Sequence, residues 1–300
     1  MNNLTYIGVD VSKAYLDVAS NRGLHRCPNR PTSIAGWLRK LPTPSHLIVE
    51  ATGGYERTLV EACHRLGLAI SVLNPARVRH FAKARGALAK TDAIDARVLR
   101  EFGAALQPKA QAPLAPTQRE LAELITTRDQ LVKIRTQLSN SLEQARLPLV
   151  RQTVGSQIRL LDRRIAKLEK AMAACLQQPT LAPRAGLLLA QAGIGLQTAA
   201  VLLAQMPELG SLNRNQAAAL AGLAPYNRDS GTLSGPRYVG HGRCRLRRAL
   251  YMATLSAIRA SGPLANFYHH LRSSGKPPKV ALIASARKLI CFLNSGTSLN

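Results

Sequence analysis

The chain has 300 residues, enough for two domains, and its 46% hydrophobic and 19% charged content is ordinary for a globular protein with a sizeable core. Its charge is not ordinary: 41 Lys and Arg face 16 Asp and Glu, a formal net charge of +25, which points to a polyanionic partner because neutralised phosphates release counterions. Five scattered cysteines without C-x-x-C spacing argue against a disulfide framework and a zinc module, and no apolar run approaches the roughly 18 residues of a membrane span.

In chain order, TYIGVDV (5–11) reads as a β-branched strand and YLDVAS (15–20) as its hairpin partner. HLIVE (46–50) is a second buried strand, ending at Glu50, and LAISVLN ends at Asn74-Pro75. Helical stretches follow these strands: YERTLVEACHRLG, PARVRHFAKARGALA and TDAIDARVLREFGAAL. Alternating strands and helices with a hairpin at the front predict a mixed α/β sheet. QPKAQAPLAPTQ (107–118) reads as a linker, and LQQPTLAPRAG (176–186) as a second boundary.

Between these boundaries Leu121, Leu124, Ile134, Leu138 and Leu142 recur at helical spacing, as do Ile158, Leu161, Ile165, Leu168 and Met172. The narrow, sustained stripes favour a dimerising coil over an intramolecular hairpin. The last segment is helical in pattern. It opens with LLLAQAGIGLQTAAVLLAQM, two apolar helices joined at Gly193-Ile194-Gly195, which is either a phosphate-binding helix-hairpin-helix or an ordinary αα-hairpin. The predicted organisation is therefore 1–112 (α/β), 113–182 (helical coiled coil) and 183–300 (all-α).

Charge is unevenly spread: residues 1–118 carry 16 basic and 8 acidic groups, whereas residues 186–300 carry 13 and 2. Four acids in the first third need explaining. Asp10 and Glu50 end apolar strands, where open α/β sheets place ligands. Asp92 and Asp95 are three apart and share a face of any helix beginning near Thr91, with Lys90 alongside. Strand-borne and helix-borne carboxylates converging on one edge form an oxygen-only cage for Mg²⁺ or Mn²⁺, which suits phosphoryl transfer. Singly, each acid also has a bland reading, as a first-turn helix acid or an arginine partner.

Later in the chain, DSGTLSG presents two Ser-Gly pairs, at Ser230 and Ser234, beside Asp229. Arg228 and Arg237 flank them and can neutralise charge on a phosphorane. Arg243, Arg245, Arg247 and Arg248 crowd six residues at a helix start and read as a phosphate clamp, with few acids nearby to pair with them. His269-His270 reads as a surface or core pair rather than a metal site. Aromatics make up only 4% of the chain, so broad base-stacking platforms are not expected and any bound RNA would be held mainly by backbone and shape.

The motifs GVDVSK, VEATGGY, NPARVRHFAKARG and KTDAIDA resemble the amino-terminal domain of DEDD transposases of the insertion-sequence-110 family, which includes the Piv-type DNA invertases. GIGLQTAAVLLAQMPELG, AALAGLAPYNRDSG and GRCRLRRALYMA resemble the same family's carboxyl-terminal transposase domain, in family order. The resemblance implies a RuvC-like, RNase H-like fold for the first domain and metal-binding acids at Asp10, Glu50, Asp92 and Asp95. It also implies a nucleophilic serine at Ser230, favoured over Ser234 by its spacing from the GLAP motif. A covalent phosphoserine between that serine and DNA is part of what the resemblance implies. Donor and target DNA, an element-encoded noncoding guide RNA and a homo-oligomer (dimer or tetramer) are the implied partners. Where family members often carry a lysine ahead of Gly242, this chain has His241.

Two rival classes frame this reading. A structure-specific metal nuclease would use water in place of Ser230 and leave no adduct. An actin-like ATPase would need a glycine two residues after Asp10, where this chain has Ser12. The opening MNNLTYIGVD lacks signal-peptide features, so a cytoplasmic protein with no membrane partner is expected.

Overall fold

A computed structural model describes residues 4–86, 92–227, 229–230, 233–235 and 237–296. Of the residues singled out in the sequence, Lys90 and Arg228 lie outside this set, as do the side chains of Asp92, Asp229, Ser230 and Ser234. The chain divides into two compact units, Met1–Pro113 and Leu114–Asn300. Among the described residues no helix is long and apolar enough to cross a membrane.

The first unit comprises β1 (Thr5–Val11), β2 (Tyr15–Ser20), β3 (Gly23–Pro28), α1 (Pro31–Leu38), β4 (Ser45–Glu50), α2 (Arg57–Arg65), β5 (Ala69–Leu73), α3 (Pro75–Ala84) and α4 (Asp92–Leu106). Its five-stranded sheet has the order β3-β2-β1-β4-β5. β1, β2 and β3 are antiparallel neighbours, while β1, β4 and β5 run parallel. The predicted hairpin of β1 and β2 is present. β3 has no counterpart among the predicted strands, because GLHRCP is exposed at every position but Cys27 and carries no apolar alternation.

Period-two alternation divides the sheet into two faces. Ile7, Val9, Leu16, Val18, Leu47, Val49 and Ile70 turn one face toward α1 and α2, meeting Ile34, Leu38, Leu59 and Cys63. On the other face Ile48 and Leu73 pack with Val78 of α3 and with Val98, Leu99 and Phe102 of α4. Cys63 is sealed in the first of these layers, and burial pushes its thiol up to about 12, which makes it inert. α3 begins where sequence chemistry says it should: Asn74 accepts from Ala76 N, and Pro75 fills the first helical position.

The second unit holds α5 (Pro116–Gln144), α6 (Pro148–Leu176), α7 (Ala182–Leu189), α8 (Leu196–Gln205), α9 (Arg214–Leu220), β6 (Pro225–Tyr226), β7 (Asp229–Ser230), β8 (Leu233–Ser234), β9 (Tyr238–Val239), α10 (Cys244–Ala257), α11 (Pro263–Ser273) and α12 (Pro278–Gly296). The expectation of an all-α final segment is corrected here. Among the described residues β6 pairs with β9 and β7 with β8, because DSGTLSGPRY has no helical apolar period.

The long helices α5 and α6 pack on each other within the chain. Arg128 meets Glu169 at 2.9 Å and Arg135 meets Asp162 at 3.2 Å, so ascending numbers on α5 face descending numbers on α6 and the pair is antiparallel. The apolar stripe expected to join two chains thus finds its first partner in the same chain. Near the open end, Leu121, Ile125, Met172 and Cys175 join the core formed with α8 and α10. Toward the tip, Ile134, Leu147 and Leu149 are exposed.

α7 and α8 form the expected hairpin. Gly193 at its turn has φ +82°, and a Cβ there would sit 2.4 Å from the Ala253 carbonyl of α10. Close packing against α10 therefore demands this glycine.

Candidate active site

The parallel register pairs Val9 with Val49, so the next residue on each strand, Asp10 on β1 and Glu50 on β4, stand side by side at the carboxyl ends of the two central strands. Alternation puts Asp10 on the face of Gly8, and Glu50 on the face of Ile48. Both belong to the face that α4 covers. A Cβ on Gly8 would lie 2.0 Å from the Ala96 carbonyl oxygen, and one on Gly103 would lie 2.6 Å from Ile48 and 2.8 Å from Tyr6. Moving from Ala96 to Gly103 along α4 thus means moving backward along β1, from Gly8 to Tyr6. The amino-terminal turn of α4 must then lie toward Asp10 and Glu50.

Asp95 immediately precedes Ala96, and Asp92 opens the helix. The fold therefore brings Asp10, Glu50 and Asp95 to one end of one sheet face, each half-buried, with the Asp92 backbone in the same helical turn.

The VEATGGY motif explains how Glu50 stays at that edge. Gly53 and Gly54 take φ of +62° and +106°, and turn the chain away directly after the strand. The Glu56 carboxylate accepts from Thr52 N at 3.0 Å and Gly54 N at 2.9 Å, and the Thr52 hydroxyl donates to the Glu50 carbonyl at 3.0 Å.

Carboxylate oxygens from two strands and a helix are the donor chemistry of a hard divalent cation such as Mg²⁺ or Mn²⁺. Among the described residues, no three His, Cys, Asp or Glu side chains are gathered closely enough to hold an ion.

One acid at this edge escapes a reading of the sequence for strand-end carboxylates. Asp17 of β2 pairs across from Asp10, so it shares the same face, and it is held by Arg26 of β3 at 2.9 and 3.1 Å. Its signal is the alternation in YLDVAS: Leu16 and Val18 fill the opposite layer, which leaves Asp17 beside Asp10.

In the second unit, Ser230 lies on β7 opposite Leu233, and Ser234 lies on β8 opposite Asp229. The stem of this nested hairpin is β6 and β9, closed by Tyr226 against Tyr238 at 5.7 Å between ring centroids. His241 stacks edge-on to Tyr226 at 5.2 Å and stands 3.4 Å from the Tyr238 hydroxyl. It adopts φ +54°, rare for a residue with a side chain. Next to it, Gly242 has no room for a Cβ, which would lie 2.4 Å from Gly222 N.

The arginines have divided roles. Arg247 donates to the carbonyls of His241 at 3.0 Å and Gly222 at 3.3 Å, fixing the base of the serine hairpin. Arg243 is bidentate to Glu208, at 2.9 and 2.8 Å, and also donates to the Gln205 carbonyl. Arg245 pairs with Asp129 at 3.1 Å, whereas Arg248 is 71% exposed. Arg237 is exposed beside the stem.

Glu208 shows what its pair contributes. Burial pushes its carboxyl up, but hydrogen bonds from Arg243 and the backbone together outweigh this and hold it below the ordinary carboxylate value. A depressed folded-state value stabilises the fold above the ordinary carboxylate range, and that stability is lost as pH falls through the depressed value. Arg243→Ala is expected to cost about 1 kcal/mol at neutral pH, because the pair is over a third exposed and screened, and much less in acid. Thermal melts at both pH values check this; an equal loss at both would count against it.

Comparison with known proteins agrees in both units. Residues 7–147 match the DEDD transposase domain of IS110-type elements, described as a transposase, and residues 185–269 match the transposase IS116/IS110/IS902 family. An α/β unit with strand-end acids, joined to a helical unit carrying a serine hairpin, is here the architecture of a DNA transposase or recombinase. The chain carries the transposase domains of the IS110 family.

Over 95% of its length it is 28% identical to the pilin gene-inverting protein of Moraxella lacunata, spanning 93% of that protein, and the Moraxella bovis protein of the same name gives the same values. It is also 30% identical, over 49% of this chain, to 36% of an uncharacterized 43.6 kDa protein of insertion element IS110 from Streptomyces coelicolor.

Proposed function

We propose that the protein recombines an insertion sequence with its target by serine-dependent strand transfer, with Asp10, Glu50, Asp92 and Asp95 as the metal-binding acids. The observation that carries this is the adjacency of Asp10 and Glu50 at the strand ends, on the face where α4 begins with Asp92 and Asp95. The sheet order, with an antiparallel β1-β2-β3 edge and parallel β4 and β5, supports an RNase H-like, RuvC-like reading of the first unit. Within the second, the boundaries at 113–182 and 183–300 set the long pair α5 and α6 apart in sequence from the transposase domain, with which the pair shares a core.

In the reaction the Ser230 hydroxyl oxygen attacks a DNA phosphorus. The new Ser–O–P bond forms as the bond to one deoxyribose oxygen breaks. The serine proton passes to a nearby base, and the departing sugar oxygen ends as a hydroxyl. Attack by the second DNA end's hydroxyl on the phosphoserine reverses these bonds and frees the serine, so no external energy source is needed. Asp10, Glu50, Asp92 and Asp95 would hold a divalent cation, which would supply charge neutralisation for phosphoryl transfer. Arg237, with Arg228, is suited to hold the phosphate beside the serine. The +25 charge supports polyanionic partners: donor and target DNA and, following the family resemblance, a noncoding guide RNA. Two duplexes must be cut and exchanged, so a dimer or tetramer is the working form, with the exposed tip of α5 and α6 offering Leu147 and Leu149 as an interface.

Recombination between paired element and target sites tests the acids. Asp10→Asn, Glu50→Gln and Asp92→Asn are each expected to lower the rate on the order of 100-fold or more while nucleic-acid binding persists. Wild-type rates in any of the three would overturn its assignment, and RNA that copurifies and matches the element's flank would identify the guide.

A further inference from the structure

The helix α5 presents Thr126, Asp129, Gln130 and Lys133 at three- and four-residue spacing, and α10 presents Arg245 and Arg248 three apart. Between them, within the second unit, is a crevice of about 520 Å³ lined also by Arg128. Four cations thus converge on a space that contains one carboxylate. Asp129 faces Arg245 at 3.1 Å, Arg128 at 3.6 Å and Arg248 at 3.8 Å.

The cations form an inner and an outer pair. Arg128 and Arg245 are only 18% and 25% exposed, and each is held by a further partner besides Asp129. Glu169 binds Arg128 at 2.9 Å and is itself held by Gln197 at 2.7 Å, while Arg245 donates to the Thr126 hydroxyl at 3.1 Å. Arg248 and Lys133 extend into solvent. Two preorganised guanidinium groups at the back, two reachable cations at the front and a single central anion match the charge pattern of a phosphate seat.

We infer that this α5–α10 crevice seats the phosphodiester backbone of a bound nucleic acid, with Asp129 as a built-in counter-ion that the incoming phosphate displaces. The inference rests on the reading of the chain as a nucleic-acid recombinase and adds a docking surface made by residues other than the strand-end acids and Ser230. An ion-pair network serving only to tie α5 to α10 makes the opposite prediction for Asp129. Its removal would then loosen the helices and weaken binding, whereas a displaced counter-ion leaves more positive charge for the phosphate once removed.

The test measures binding of the full-length chain to a short duplex DNA and a short single-stranded RNA across a salt series. Lys133→Ala with Arg248→Ala, both at exposed positions, is expected to weaken binding and to reduce the slope of log K against log salt by about 2. Asp129→Asn is expected to tighten binding about fivefold at low salt. A loss confined to the DNA or the RNA arm names the backbone that the crevice takes. An unchanged slope in the double variant, or weaker binding by Asp129→Asn, overturns the crevice alone; a wild-type chain that binds neither nucleic acid overturns the recombinase reading with it.

Discussion

Ser230→Ala is expected to abolish the denaturation-resistant protein–DNA adduct and, with it, strand exchange, while leaving DNA binding intact. Only a hydroxyl is removed, and the hairpin is held by backbone pairs of Asp229 with Ser234 and Ser230 with Leu233, so the fold has no reason to change. Beneath it the Tyr226–Tyr238 stem and the two carbonyls bound by Arg247 remain in place. Loss of a covalent nucleophile costs on the order of 10⁴-fold or more in rate. Ser234→Ala is the control and is expected to form the adduct at the wild-type level. Denaturing electrophoresis of labelled target DNA distinguishes the outcomes. An adduct lost in Ser234→Ala but kept in Ser230→Ala moves the nucleophile, and cleavage by the wild type with no adduct makes the protein a nuclease.

The second large effect is at Gly8, far from that serine in sequence. Any Cβ here would stand 2.0 Å from the Ala96 carbonyl oxygen and 2.4 Å from Arg100 N, both backbone atoms of α4 that no rotamer change can move aside. Gly8→Ala must push the helix off the sheet, carrying Asp95 away from the strand ends. About 3 kcal/mol or more of destabilisation is expected, at the upper end of overpacking effects, together with loss of recombination. Gly103→Ala should cost less, since its neighbours are the side chains of Ile48 and Tyr6. In α1, a methyl group added at Gly36 would meet nothing within 4 Å, so Gly36→Ala should be neutral or slightly stabilising. Thermal unfolding of the three variants ranks them, and a Gly8→Ala melt matching wild type would contradict the packing argument.

Legibility in the sequence followed burial. β1, β4 and β5 are readable because their apolar runs are buried on both faces, between α1 and α2 on one side and α3 and α4 on the other. β3 is not, because an edge strand of GLHRCP is held by backbone pairing to β2 rather than by an apolar pattern. The α5 and α6 stripes are readable as helices but ambiguous in partner, since intrachain and interchain packing ask for the same heptad spacing. The four arginines after Gly242 look alike in sequence, yet Arg243 is taken up by Glu208, Arg247 by backbone carbonyls and Arg245 by Asp129, which leaves Arg248 as the exposed one.

By itself the sequence determined the chemistry available to this protein. Acids at the ends of apolar strands, a serine between glycine-rich turns and a large excess of arginine are properties of residue type and spacing, and they survive any arrangement of the chain. Tertiary structure alone decided which of those groups meet. The β1–β4 register puts Asp10 beside Glu50, and the contact of Gly8 with Ala96 sets the direction of α4, so that Asp95 lies at the same edge. The β1–β2 register adds Asp17, and the packing of α10 on its neighbours divides structural arginines from reachable ones. The physical reason is that strand register and helix direction are set by contacts between residues distant in the chain, and local spacing carries no information about those contacts.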